Sequence, residues 1–237
     1  GAKTASLTLN RATNTPRQPG STFKVISAFA PAMDTCGATL GTVYYDSVYT
    51  VGNKTFSNWY SQGYTGYSSI RDGIIYSMNI VAVRCLMETV TPQLGVEYAK
   101  NFGISTLTST DLNAATALGG LTVGVTNLEL TAAYAAIAND GVYTKPVFFT
   151  KILDHDGKIL INNEPETHRV LKDSTAFLLT DAMAGSMVTN RKFGSSINST
   201  SARANIPNMS NAGKSGTTSK NNDVWFVGYT PYYVAAV

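Results

Sequence analysis

One helical segment constrains this chain more than any other. Between Phe23 and Met33 nearly every residue is apolar, and Lys24 is the single charge between Arg17 and Asp34. Phe23, Val25, Ile26, Phe29 and Met33 point to almost every side of a helix, so the segment must be enclosed by protein. Pro19-Gly20 forbids helix before Ser21, which sets the start at or just after that serine. A fold that encloses this helix needs a sizeable core. The chain has 237 residues, 43% hydrophobic and 14% charged, enough for one domain with a sizeable core or at most two small ones, and it is read as one domain spanning residues 1–237.

The same segment carries the first chemical signal. Ser21 and Lys24 are one turn apart on one helix face. A serine at a helix N-terminus also gains free backbone N–H donors and the positive dipole end, both suited to an oxyanion. A serine N-cap followed by a solvated lysine is the common arrangement. Here, however, the lysine sits in a helix that reads as buried, where lost hydration disfavours the ammonium and frees a neutral amine as a base. The two histidines offer no alternative. His155 sits in the Asp154-His155-Asp156-Gly157 turn and His168 in a polar connection. A serine nucleophile in this chain must therefore use another base.

Composition removes several other classes. The net charge of +3 is spread over isolated Lys and Arg residues, so nucleic acid is not an expected partner. No stretch reaches the roughly 18 apolar residues needed to cross a bilayer, and the N-terminus does not read as a signal peptide. Cys36 and Cys85 read as two buried free thiols, and no metal-ligand spacing is present. Neither a metal nor another cofactor is expected.

Along the chain, residues 41–68 are rich in Tyr, Gly and Ser and read as irregular connections. Helices follow over Ile70–Tyr76 and Ile80–Glu88, separated by Ser77-Met78-Asn79. Thr126-Asn127-Leu128-Glu129 is a capping box opening an alanine-rich helix that stops at Asn139-Asp140-Gly141. Phe148–Leu153 and Lys158–Ile161 form a hairpin across Asp156-Gly157. Asp173-Ser174 caps a helix running to about Met187, and residues 189–211 read as an exposed loop. Lys214–Thr218, Val224–Tyr229 and Tyr232–Val237 read as strands, with Thr230-Pro231 turning between the last two. Helices in the middle and strands at the end favour a mixed α/β domain with an antiparallel sheet flanked by helices.

Two further motifs carry chemistry. In the strand Lys214-Ser215-Gly216-Thr217, Lys214 and Gly216 share a face, and the glycine leaves room for another backbone alongside. A cation, hydroxyls and an open edge suit an extended peptide ending in a carboxylate. Ser77-Met78-Asn79 competes with Ser196-Ile197-Asn198, which has the same form. The later copy lies in a Ser/Asn-rich loop where composition alone explains it. The earlier one sits between apolar helices, where two polar residues need a reason. Ser77 and Asn79 are therefore chosen.

In the order Ser-x-x-Lys, Ser-x-Asn, Lys-Ser-Gly-Thr, the chain resembles the penicillin-binding proteins and serine β-lactamases. Longer stretches narrow the likeness to the transpeptidase domain of class A penicillin-binding proteins. They include Asn10-Arg11-Ala12-Thr13 with Arg17-Gln18-Pro19-Gly20-Ser21, Tyr76-Ser77-Met78-Asn79 with Val81-Ala82-Val83-Arg84, and Leu118-Gly119-Gly120. Ala132-Ala133-Tyr134, Ala138 through Tyr143, and Trp225 through Pro231 continue it in the same order. Ser215 stands where many relatives carry Thr, which keeps the hydroxyl.

The resemblance implies a β-lactamase/transpeptidase-like fold. It also implies two strands before Asn10 and a helix after the last strand, so the chain reads as part of a longer one. It assigns Ser21 as nucleophile and Lys24 as base. Ser77 becomes the proton carrier to the leaving group, and Asn79 fixes Lys24 and binds the substrate amide. Lys214, Ser215, Gly216 and Thr217 grip the substrate, with the Thr217 N–H in the oxyanion hole. The implied activity is D,D-transpeptidation of peptidoglycan stem peptides ending in D-Ala-D-Ala, with covalent capture of β-lactam antibiotics. A D,D-carboxypeptidase, a β-lactamase and a non-catalytic β-lactam sensor share these motifs and remain alternatives. The whole protein is expected on the outer face of a bacterial cell membrane, with an anchor and a glycosyltransferase domain upstream.

Overall fold

The computed structural model describes residues 8–188, 192–194, 196–218 and 221–237. A short helix, α1 (Arg11–Asn14), capped by Asn10, leads to the central helical run 20–34. That run changes pitch twice. It opens as a 3-10 turn over Gly20–Thr22, widens into a π turn over Val25–Phe29, and ends as α2 (Ala30–Asp34). Pro31 accounts for the wide turn, because it has no N–H for the Ser27 carbonyl and its ring crowds that oxygen. Thr22 through Asp34 are buried, as the distribution of apolar residues requires. Each large side chain here contributes about 1.5–3 kcal/mol by leaving water, and burying the polar Lys24 amine opposes that gain.

Residues 41–68 are more regular than their composition suggests. They hold β1 (Val43–Asp46), paired antiparallel with β4 (Gly66–Ser69), and the small hairpin of β2 (Tyr49–Val51) and β3 (Lys54–Phe56). Tyr, Thr and Val favour the pleated conformation, and long-range pairing between 43–46 and 66–69 leaves no trace in local periodicity. The two expected helices are α3 (Ile70–Ile75) and α4 (Asn79–Arg84), the latter continuing as a π turn over Cys85–Val90. Then come α5 (Pro92–Asn101) and α6 (Asn127–Ala138), which has the expected Thr126–Glu129 capping box.

β5 (Val142–Thr144) pairs with β8 (Thr167–Arg169), so His168 lies in a strand rather than a connection. Between them β6 (Lys151–Leu153) and β7 (Ile159–Asn162) form the expected hairpin. α7 (Asp173–Gly185) is capped at Lys172, one residue earlier than the Asp173-Ser174 pair suggests, and Asp173 Oδ1 serves only the adjacent Ser174 N–H. The segment 189–211 falls partly outside the described residues. Within them it holds the two-residue pair β9 (Lys192–Phe193) and β10 (Ile197–Asn198). Cys36 is only half-buried and Cys85 is buried; both are free, so one thiol is more open than expected.

The chain ends in the antiparallel sheet β11 (Ala212–Thr217), β12 (Val224–Tyr229) and β13 (Val234–Ala236), in that spatial order. α6 packs against β12 and β13, and α7 against β11. Trp225, Val227 and Tyr229 are the buried face of β12. This is the mixed helix-and-antiparallel-sheet architecture expected from the sequence. Its functional consequence lies where β11 meets the first turn of the central run.

Candidate active site

The turn carrying Ser21 is clamped from several sides. Gly20 has φ +55°, a left-handed conformation open to glycine at little cost. A Cβ at Gly20 would stand 2.8 Å from the Thr217 carbonyl oxygen and 3.0 Å from its nitrogen. A Cβ at Gly216 would collide with the Pro19 carbonyl oxygen. The Ser21 turn and β11 thus meet backbone to backbone, which only two glycines permit. Trp225 Nε1 donates to Gln18 O at 2.9 Å, and Tyr134 Oη donates to Thr22 O at 2.7 Å. Gln18 grips the Leu121 backbone with both ends of its amide, at 2.6 and 2.8 Å. Ser21 sits half-buried in this frame, with a first-turn N–H that has no intrahelical acceptor.

Lys24 is fully buried. Its Nζ lies 2.6 Å from Ser77 O, 2.7 Å from Asn79 Oδ1 and 3.2 Å from Ser77 Oγ. Burial holds this amine well below the usual ammonium range, and the charge of Lys214 pushes it the same way. A neutral amine has two N–H donors and one lone pair. The two acceptor-only oxygens, Ser77 O and Asn79 Oδ1, take the donors, which leaves the lone pair for a hydroxyl. Among the described residues no side chain is hydrogen-bonded to Ser21 Oγ, so the Ser21–Lys24 contact suggested by their spacing is not made here.

Lys214 is fully buried as well. Its Nζ donates to Ser77 Oγ and to Ser215 O, both at 2.9 Å, and burial lowers its pKa to about 7. Ser77 therefore stands between two lysines. Its hydroxyl oxygen accepts from Lys214 Nζ and lies 3.2 Å from Lys24 Nζ. Ser77 has φ +53°, a strained conformation for a residue with a side chain. Strain of this kind persists where the surroundings fix it, and here both neighbours are lysines. On β11, Ser215 is half-buried and Thr217 exposed, both flanking Gly216.

The structure thus unites Lys24, Ser77, Asn79 and Lys214 in one hydrogen-bonded cluster. The backbone of Thr217 abuts the Ser21 turn. Lys214 lies deeper than a carboxylate-gripping cation on the surface would. Ser196-Ile197-Asn198 takes no part in the cluster. Sequence reasoning passed over Gln18, Ser57 and Asn58; the last two lie in the segment read as irregular, where Ser57 O accepts from Asn79 Nδ2 at 2.8 Å. Among the described residues no group of three or more His, Cys, Asp or Glu is placed to hold a metal ion.

A family model described as "Penicillin binding protein transpeptidase domain" matches residues 2–237. Among curated proteins, Penicillin-binding protein 1A of Clostridium tetani is 32% identical over 99% of this chain and 30% of its own length. Penicillin-binding protein 1A/1B of Bacillus subtilis is 33% identical over 96% of the chain and 25% of its own length. The chain therefore spans under a third of these relatives. Among solved structures, the D,D-transpeptidase domain of a peptidoglycan glycosyltransferase from Eggerthella lenta superposes with a TM-score of 0.76. It is 25% identical, over 96% of this chain and 61% of the other. The imipenem acyl-enzyme of penicillin-binding protein A from Mycobacterium tuberculosis shares the fold, with a TM-score of 0.77 at 22% identity over 96% of this chain and 55% of the other.

Proposed function

Since this chain belongs to the penicillin-binding protein transpeptidase domain family, in its class A branch, we propose that it is an acyl-serine D,D-transpeptidase with Ser21 as nucleophile and Lys24 as base. One observation carries the reading. A fully buried lysine one turn from a half-buried serine has both amine donors occupied by carbonyl oxygens, at 2.6 and 2.7 Å. An amine so placed is a base in search of a hydroxyl proton.

A small rotation of the Ser21 side chain brings Oγ to the Lys24 lone pair. The proton passes to Nζ while Oγ attacks the carbonyl of the penultimate D-Ala. The N–H groups of Ser21 and Thr217 receive the developing oxyanion, and losing one such donor typically costs about 10²–10³ in rate. Collapse breaks the amide bond. The departing D-Ala nitrogen takes a proton from Ser77 Oγ, which recovers one from the flanking lysines. Asn79 holds Lys24 and accepts or donates to the substrate amide. Thr217 and Ser215 bind the terminal carboxylate, and Lys214 adds its charge from behind Ser77. The amine of a neighbouring stem peptide then attacks the acyl-enzyme, forming the cross-link and freeing Ser21.

A β-lactam enters by the same first step, but its leaving nitrogen stays tethered. In this reading the partners are peptidoglycan stem peptides and β-lactams. The whole protein is anchored at the outer face of the cell membrane behind a glycosyltransferase domain; the similar Eggerthella lenta domain is likewise part of a peptidoglycan glycosyltransferase.

Fluorescent penicillin should label the wild-type protein and leave Ser21→Ala blank. Label on the alanine variant would remove Ser21 as nucleophile. Incubation of a stem pentapeptide with an amine acceptor should yield cross-linked dimer. Hydrolysed tetrapeptide alone would make the chain a carboxypeptidase instead.

A further inference from the structure

Asn79 is held from outside its own helix. α4 opens at Asn79, and its N-cap, Met78, offers no side-chain acceptor for the first free N–H groups. A remote residue supplies the missing acceptor. Asn58 Oδ1 accepts from Asn79 N at 2.9 Å and from Ile80 N at 3.3 Å. The neighbouring Ser57 O takes Asn79 Nδ2, which turns Asn79 Oδ1 toward Lys24. Two adjacent residues between β3 and β4 therefore fix both the backbone of Asn79 and the facing of its amide.

Asn58 is oriented in turn by a carboxylate. Its Nδ2 donates to Asp46 Oδ1 at 2.7 Å. A carboxylate only accepts, so the amide nitrogen must face Asp46 and the amide oxygen must face α4. Asp46 is buried, with a relative exposure of 1%. Its other oxygen receives Tyr60 Oη at 3.1 Å, Thr65 N at 2.9 Å and Thr65 Oγ1 at 2.7 Å. Among the described residues its hydrogen-bond partners are all neutral. A buried carboxylate bonded only to neutral donors is costly to keep, and its full set of donors makes it rigid.

We infer that Asp46 and Asn58 are positioning residues for catalysis: the buried carboxylate locks the Asn58 amide, which caps α4 from a distance and holds Asn79 against Lys24. The inference rests on the reading of Lys24 as base. Neither residue touches substrate; both act through Asn79. Misplacing a reacting group by about 1 Å can cost on the order of 100-fold, so disturbing this relay should slow acylation by roughly 10–100-fold without removing any group that reacts.

An exchange of the two residues tests the idea. Asn58→Asp alone sets a second carboxylate against Asp46 at amide distance, and Asp46→Asn alone removes the group that dictates the facing of the Asn58 amide. Combining Asp46→Asn with Asn58→Asp restores one amide, one carboxylate and an acceptor at the start of α4. The second-order acylation rate with fluorescent penicillin is measured per folded molecule, with folding checked by thermal melting. Each single variant should lose about 10–100-fold, and the exchanged pair should return to within about threefold of wild type. Asn58→Ala, which adds no charge, should be slow like the single variants. Single variants that acylate at the wild-type rate, or an exchanged pair no faster than they are, would overturn the inference. Lys24→Ala is run in parallel. Normal acylation by that variant would sink the base assignment, whereas its failure beside a fully active Asn58→Asp would sink only the relay.

Discussion

Replacing Ser77 by alanine tests the centre of the site most directly. Its hydroxyl lies 2.9 Å from Lys214 Nζ and 3.2 Å from Lys24 Nζ, in a position with a relative exposure of only 4%. Without it, Lys214 keeps Ser215 O and loses its other acceptor, and a buried polar group left unmatched costs about 1–3 kcal/mol. For a domain of this size each kcal/mol moves the melting temperature by about 2–4 °C. The Ser77→Ala melt should therefore drop by roughly 2–12 °C. The kinetic loss should be larger in energy, because a proton carrier typically supplies about 10²–10⁴ in rate. Ser77→Gly separates the two effects. It removes the same hydroxyl but relieves the left-handed strain at φ +53°, which for a residue with a Cβ is worth about 1–2 kcal/mol. The glycine variant should be more stable than the alanine variant and equally slow. Single-turnover acylation by stopped flow, paired with calorimetry, reads both numbers. Acylation within threefold of wild type in either variant would refute the relay through Ser77, however far the melt fell.

Three further outcomes follow from the same contacts. Gly20→Ala should cost about 1–3 kcal/mol from its left-handed φ and slow acylation by more than about 10-fold by pushing the Ser21 turn away from Thr217; melting and acylation rates measure the two parts. Tyr134→Phe removes the bond to Thr22 O in a fully buried position, so it should destabilise by about 1–3 kcal/mol in denaturant melts while folded enzyme acylates nearly normally. Lys24 and Lys214 are both lowered from 10.5, so between about pH 7 and 10 the unfolded chain binds more protons and their contribution to stability rises with pH. Tyr134 is raised above 10.0 and takes stability away above that pH. Urea midpoints measured from pH 7 to 10 should climb less steeply in Lys214→Met, and an unchanged slope would count against a lowered Lys214.

The parts of the fold that could be read from the chain are those with local causes. The buried helical run shows in its surrounding apolar residues, α6 in the Thr126–Glu129 capping box, and β12 in the alternation of Trp225, Val227 and Tyr229. Lys24, Ser77 and Asn79 stood out because each is polar where its neighbours are not, and Ser21 because it opens the helical run one turn before Lys24. The strands within 41–68 stayed hidden because β1 finds its partner β4 across an intervening hairpin, and no residue nearby announces the pairing. Asn58 was invisible for a related reason. Its role is to cap a helix to which it does not belong, and Ser and Asn are unremarkable in a stretch full of turn-forming residues. The wide π turn was also unforeseen, although Pro31 inside an apolar helical run was its visible cause. The depth of Lys214 likewise depends on the helices packed over β11, which strand alternation alone does not reveal.

The contact of the Ser21 turn with β11 has a consequence for how a drug would see this molecule. Gln18 and Trp225, bonded across that junction, are 207 residues apart in sequence, and Lys214 and Ser77 are 137 apart. No short fragment can complete the site, because β11 and β12 must arrive before the Ser21 turn and the cluster around Ser77 are closed. If the chain captures penicillin as proposed, the label would count only molecules in which the two ends have met.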